Sequence, residues 1–260
     1  MTLLAKLRPL AMVLLVAAPA AARAQHVDTV KHLSTAYLKP GLRQYFIYMQ
    51  DTASKKTLVF WYWLRRVDLE TRDGVPVFHI SQHWYGQDTA MYREVYSVNK
   101  VADFAPVYHE EIKRGKVFAY NWDDQGIKGA DTVWGNTAHD FSLAFTRPNL
   151  NWNLDIETFE MLPLAEGRAF AINFYDAGLD PPQYVVYSVK GSEVIQTLGG
   201  AEVDCWKLVT EGHVKDMHYT ETYWISKKKH EFLKEEDHYG ASFRLKILMP
   251  VATPDPLSHT

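Results

Sequence analysis

Eleven histidines, a single cysteine and thirty-one carboxylates are the side chains that could do chemistry in this 260-residue chain. Their spacing argues against most of it. His79 and His83 stand four apart in a stretch that reads as a strand, which puts them on one face about 13 Å apart, too far to share a metal ion. His213 with His218 and His230 with His238 flank two loops, whereas a zinc site needs three or four ligands converging at about 2 Å. Cys205 lies inside an alternating polar and apolar stretch and reads as a small buried residue rather than a nucleophile. Asp123–Asp124, Glu110–Glu111 and Glu235–Glu236 put neighbouring acids on opposite faces of a strand or on a turn, while acid and base catalysis needs two carboxylates facing one substrate. The chain has no G-x-S-x-G, H-E-x-x-H, phosphate-binding P-loop or G-x-G-x-x-G motif. No catalytic residue, metal ligand or cofactor is therefore assigned.

The functional signal is aromatic. Trp61, Trp63, Trp84, Tyr96, Trp122, Trp206 and Trp224 recur on apparent strands, and aromatics lining a concavity would hold an apolar or sugar-like ligand. Core packing is the more common explanation of aromatic strands. The candidate ligand-binding set is Trp61, Trp63, Phe141, Phe159, Trp206 and Trp224.

The elements that must position these residues are mainly strands. Gln183 to Met249 reads as an antiparallel meander: Gln183–Val189, a turn at Lys190–Gly191–Ser192, Glu193–Leu198, Val203–Val209, Thr220–Ile225 and His230–Glu236. Its last strand alternates Phe243, Leu245, Ile247 and Met249 with Ser242, Arg244 and Lys246, which predicts an apolar face packed inward and a polar face in water. A first meander spans residues 42–126, with turns at Asp73–Gly74 and Arg114–Gly115. Within it Thr57–Leu64 is apolar on both faces and needs cover from protein, ligand or partner on each; Arg65–Arg72 is polar. Gln44–Tyr48 parallels Gln183–Tyr187 and Glu94–Lys100 parallels Glu221–Lys227, so the meanders are either two repeats or chance matches among short aromatic strands. The insert, residues 128–182, carries two predicted short helices, Thr137 to Phe145 behind a capping-box pattern and Asp155–Leu162 with an acidic first turn. A third amphipathic helix is predicted over His26–Leu38. The fold class is a large curved antiparallel meander, a half-barrel or incomplete barrel, with a few short covering helices.

Lys6 and Arg8 precede the apolar run Leu10–Ala18, and Ala22–Arg23–Ala24 supplies a cleavage site, so residues 1–24 read as a signal peptide and residues 25–251 as one β-rich domain with a loose tail at 252–260. The run is too short to span a membrane, and no second one follows. Periplasmic or secreted localisation is the expectation. A net charge of -3 with scattered basic residues excludes a nucleic-acid partner.

Asp155–Pro163, Phe170–Tyr175, Asp204–Cys205–Trp206 and Thr222–Lys227 together resemble an exported bacterial family, the domain of unknown function 3108. The resemblance implies an exported protein similar in fold class to the half-barrel lipoprotein carriers of Gram-negative bacteria, whose curved sheet and covering helices enclose an apolar hollow. It supplies no catalytic residue. The leading expectation is a non-enzymatic binding or carrier-type protein for a lipid-like or other apolar ligand, with the Trp61 and Trp63 strand covered by the Phe141 and Phe159 helices. The alternatives are an envelope interaction or assembly protein, docking through the sheet or its Pro76-bearing edge, and an uncharacterised hydrolase.

Overall fold

A computed structural model describes residues 26–31, 33–179 and 181–250. The signal peptide read over 1–24 and the tail read over 252–260 lie outside the described residues. The elements in order are β1 (Val27–Thr29), β2 (Gly41–Asp51), β3 (Thr57–Arg72), β4 (Val75–Tyr85), β5 (Arg93–Lys100), β6 (Pro106–Lys113), β7 (Lys116–Trp122), β8 (Gly126–Gly129), β9 (Ser142–Ala144), β10 (Leu150–Asn151), α1 (Asp155–Glu160), β11 (Ala169–Tyr175), β12 (Gln183–Gln196), β13 (Glu202–Val214), β14 (Met217–Ser226), β15 (Phe232–Tyr239) and β16 (Ser242–Leu248). They form one open sheet in the order β1, β11 to β16, then β2 to β9, with β10 beside β11. The two meanders are joined edge to edge where β16 pairs with β2.

Tight turns hold the registers. Asp73–Gly74 and Arg114–Gly115 each have two successive positive φ angles, the geometry whose twist matches a two-residue hairpin. Lys190–Gly191, read as a turn between two strands, is instead a bulge inside the single strand β12, where the register with β13 shifts between Val189 and Ser192; Gly191 takes φ 90° there at no steric cost. Arg65–Arg72 likewise continues β3 without a break.

The sheet curls around α1. Ile156, Phe159 and Leu162 meet Tyr45 and Trp63 from one wing and Phe170, Phe174, Tyr187 and Tyr223 from the other in the main core. The Phe159 ring lies 4.7 Å from those of Tyr187 and Tyr223. Of the three predicted helices only this one forms. Thr137–Phe145 is a turn running into β9 because buried Asn136, in place of a helix cap, stitches the segment to the sheet. Its amide accepts from Ala119 N–H and Ala138 N–H and donates to the Ala119 and Ala130 carbonyls. The backbone there also passes so close that a Cβ on Gly129 would fall 2.0 Å from the Ala138 carbonyl oxygen. His26–Leu38 is likewise not a continuous helix. β1 adds to the β11 edge in parallel, secured by the Arg168–Asp28 ion pair at 2.5 Å, and only Thr35–Tyr37 makes a single 3-10 turn. The open edge of β11 offers alternate backbone groups of this segment a partner, as in the Val30 N–H donated to the Ala171 carbonyl at 2.9 Å, and β-branched Val27 and Thr29 suit a strand, which together outweigh weak helical periodicity.

The matched strands of the two meanders differ in which face their shared residues take. Glu94 pairs with outward-facing His83, whereas Glu221 pairs with buried, inward-facing Asp237, so the matched glutamates point to opposite faces.

Candidate functional site

Alternation along β16 is as expected, but its sense is reversed. Lys246 pairs with Ile47 and with Glu235, and Arg244 pairs with Asp237, all on the inner face. Phe243, Leu245 and Ile247 therefore face outward. The reason lies in the partners. Glu235, 1 % exposed, takes the Arg244 guanidinium at 2.7 Å and the Lys246 ammonium, and Arg244 also holds Asp237. Glu221 on β14 accepts from the Tyr223 hydroxyl at 2.6 Å and from Tyr239. Glu235-x-Asp237 and Arg244-x-Lys246, either side of the Tyr239–Gly240 turn, are the sequence signal for this cluster: acids and bases at period two on paired strands meet face to face.

Burial raises both carboxyls. For Glu235 the charges of Lys246 and Arg244 outweigh it and hold the group well below the usual range. For Asp237 burial and the neighbouring Glu235 prevail and push the group up to about 9, so it keeps its proton at neutral pH.

A second buried polar set anchors α1. Glu157 pairs with Arg65, both 3 % exposed, and Glu160 pairs with Arg43 at 2.5 Å while accepting from Phe232 N–H at 2.8 Å. The Trp63 ring, stacked on Trp84 at 4.4 Å, lies between the Arg65 and Lys246 cations at 4.8 and 5.0 Å. A third set lies towards β6. There the His109 ring nitrogen Nδ1 contacts Ser97 Oγ and Asn151 Nδ2, each at 3.0 Å. Burial, with the charges of Arg93 and Lys113, drives His109 down to about 3. Ser97, His109 and Asn151 are all at most 1 % exposed, so this Ser–His contact is sealed from any substrate and reads as structure.

The six candidate aromatics therefore divide. Trp63 and Phe159 are wholly buried in the main core, against which Trp61 and Trp206 pack. Phe141 packs on Tyr120 in a separate cluster, since its helix is absent. Trp224 joins Ile195, Cys205 and Leu233 in a small cluster on the outer face. Burial pushes the Cys205 thiol up to about 12, which makes it unreactive. His79 and His83 do share one face, each beside a glutamate, Glu70 at 2.9 Å and Glu94 at 3.7 Å. Among the described residues no three His, Cys, Asp or Glu side chains converge to hold a metal.

The open space lies outside the core. One groove of about 760 Å³ opens where the β12–β13 hairpin folds over the outer face, walled by Ile195, Val203, Leu233, Ile247 and Leu248. Five basic side chains, Arg43, Lys227, Lys228, Lys229 and Lys234, line it against three carboxylates, Glu202, Asp204 and Glu231. Lys227 is paired with Asp204 at 2.9 Å and lies over the Trp206 ring at 4.3 Å. Lys228 and Lys229 are exposed and have no ion pair among the described residues. A second groove, about 920 Å³, is lined by Lys31, Asp103, Asp124, Arg147, Asn149 and Tyr184, with balanced charge and fewer apolar groups.

An open, curved antiparallel sheet wrapped round a buried helix defines a barrel-like β protein. The chain belongs to the family described as protein of unknown function (DUF3108), whose model matches residues 56–247. In fold it is similar to a β-barrel-like protein of the domain of unknown function DUF1849 from Brucella abortus, at 11% identity and a TM-score of 0.51 over 84% of this chain and 99% of that one. No curated protein matches the sequence. No helix of the described residues is long and apolar enough to cross a membrane.

Proposed function

We propose that this is an exported, non-enzymatic binding protein, periplasmic or secreted, that holds a lipid-like anion in the groove beneath the β12–β13 hairpin. The observation that carries the reading is the pairing of an apolar wall with unneutralised cations. Ile195, Val203, Leu233 and Leu248 would bury the hydrocarbon, and Lys228 and Lys229 at the mouth would meet the acid group. A volume of about 760 Å³ lies within the several-hundred range of small-ligand sites. The main core, filled by α1 and its aromatic neighbours, leaves the groove as the better place for a ligand than the inner face.

Native mass spectrometry of the mature protein purified from a bacterial periplasm, with organic extraction of bound material, tests this. A reproducible anionic lipid adduct is expected, lost in Val203→Glu and weakened in K228E/K229E. An adduct-free mass, under conditions that preserve the lipid of a known carrier, would reject the reading.

A further inference from the structure

We propose that the outer face of β16, β2 and β3 is a docking surface for an anionic lipid bilayer. This rests on the face itself and holds whether or not the groove binds a ligand. Because Arg244 and Lys246 turn inward to Glu235 and Asp237, period-two alternation forces the apolar set outward. Phe243 and Leu245 on β16, Phe46 and Tyr48 on β2, and Phe60 on β3 form one continuous outer strip, in which Tyr48 pairs with both Leu245 and Phe60; exposed Leu58 follows at the bulge where β3 shifts register against β2. The rings touch in series: Phe46–Phe60 at 6.0 Å, Phe46–Tyr48 at 6.1 Å and Tyr48–Phe243 at 6.3 Å. Leu58 is 50% exposed and Phe60 40%. Single exposed apolar residues are ordinary, but a contiguous aromatic strip marks an interaction surface.

Charge and shape select the occupant. Lys55 and Lys56, in the turn from β2 to β3, sit at one end of the strip with no ion pair among the described residues. The adjoining carboxylate, Asp51, accepts from the Ser54 N–H and hydroxyl, both at 2.7 Å, and also feels the Lys55 charge, so the turn keeps a net positive charge through Lys56. At the other end Ile247, paired with Phe46, opens into the lysine-lined groove. An apolar aromatic strip between two cationic ends matches a bilayer interface, where aromatic rings sit at headgroup level and lysine ammoniums reach lipid phosphates. A second copy fits less well, because two convex faces meet over little area, whereas a fluid interface deforms around one.

The test is co-sedimentation of the full mature protein with vesicles of phosphatidylcholine, alone and mixed three to one with phosphatidylglycerol. Binding to the mixed vesicles is expected, and K55Q/K56Q should weaken it about 25-fold, roughly fivefold for each lysine at an anionic surface. L58S/F60S should abolish binding to both vesicles while leaving the far-ultraviolet circular dichroism unchanged. Should that variant fail to fold, the lysine variant decides alone. Absence of vesicle binding by the folded protein, or binding unchanged in K55Q/K56Q, would overturn the proposal. So would a dimer in light scattering that L58S/F60S converts to monomer, since the strip would then be buried by a second copy.

Discussion

Acid should destabilise this protein through one residue, His109. In the folded chain its ring is 1 % exposed, held neutral by burial and by the charges of Arg93 and Lys113, at a value of about 3. In the unfolded chain it titrates near 6.5, so the unfolded state binds the extra proton. A folded value below the unfolded one means that stability is whole above about 6.5 and falls as pH drops towards 3. Each pH unit in that window costs about 1.4 kcal/mol, so moving from about pH 7 to pH 5 removes roughly 2 kcal/mol. That is a large share of the roughly 5–15 kcal/mol that holds a domain folded. The perturbation is His109→Gln, which keeps a polar side chain beside Ser97 and Asn151 but has no proton to gain. The assay is urea unfolding followed by tryptophan fluorescence at both pH values. The variant should be less stable at pH 7 yet lose about 2 kcal/mol less than the natural chain on acidification. The other ten histidines are common to both proteins and cancel in the difference. Parallel pH dependences would refute the reasoning, because His109 would then be equally protonated in the folded and unfolded chains.

Two further outcomes follow from the buried charges. Glu157→Gln leaves Arg65 buried without its counter-charge and should cost about 3–5 kcal/mol in urea denaturation, while Arg65→Met with Glu157→Met together should recover most of it. Asp237 has the opposite sign to His109: its folded value, raised to about 9, means that its contribution is whole at acid pH and is lost as pH rises from the usual carboxylate range towards that value. Asp237→Asn should therefore flatten any decline in thermal midpoint towards alkaline pH, and an undiminished decline would show that Asp237 is not its source.

What was legible in the sequence was periodicity; what was not was the identity of the inner face. β-branched and aromatic runs between Gly-bearing turns located the long strands β2–β7 and β11–β16 but not the short β1, β8, β9 and β10, and Asp73–Gly74 and Arg114–Gly115 form the hairpins their residues demand. Alternation along β16 was equally plain, yet hydropathy alone chose the wrong side, since it leaves out the acids Glu235 and Asp237 that the Tyr239–Gly240 hairpin sets opposite Arg244 and Lys246. The helix at Asp155–Glu160 was legible from its acidic first turn and the stop at Pro163. Thr137–Phe145 was misread because Asn136 bonds to Ala119 and Ala130, partners that only the tertiary fold brings near. Of the aromatic candidates, Trp224 shares a cluster with the groove residues Ile195 and Leu233, whereas the exposed cations Lys228 and Lys229 read in the sequence as a solvated turn.

The reversed face and the filled interior have one cause. Helix α1 carries Glu157 and Glu160 into the centre of the sheet, where each must meet a cation or lose its charge. Arg65 on β3 and Arg43 on β2 meet them, which fixes the register of both strands, because a slip of one residue would turn every side chain to the other face. With Arg43 inward, Tyr45 and Ile47 follow it into the core, and Leu42, Gln44, Phe46 and Tyr48 must point out. The same count along β3, from Arg65 through Trp63, sends Tyr62 and Phe60 outward. The buried ion pairs thus decide which positions of β2 and β3 face outward, but not that those positions carry Phe46, Tyr48 and Phe60. Replacing the buried ion pairs with apolar residues would leave the interior packed but remove the constraint that keeps aromatic side chains on the surface. Aromatic rings at outward positions that the ion pairs leave free to be polar favour a use for the outer face over a purely structural reading of them.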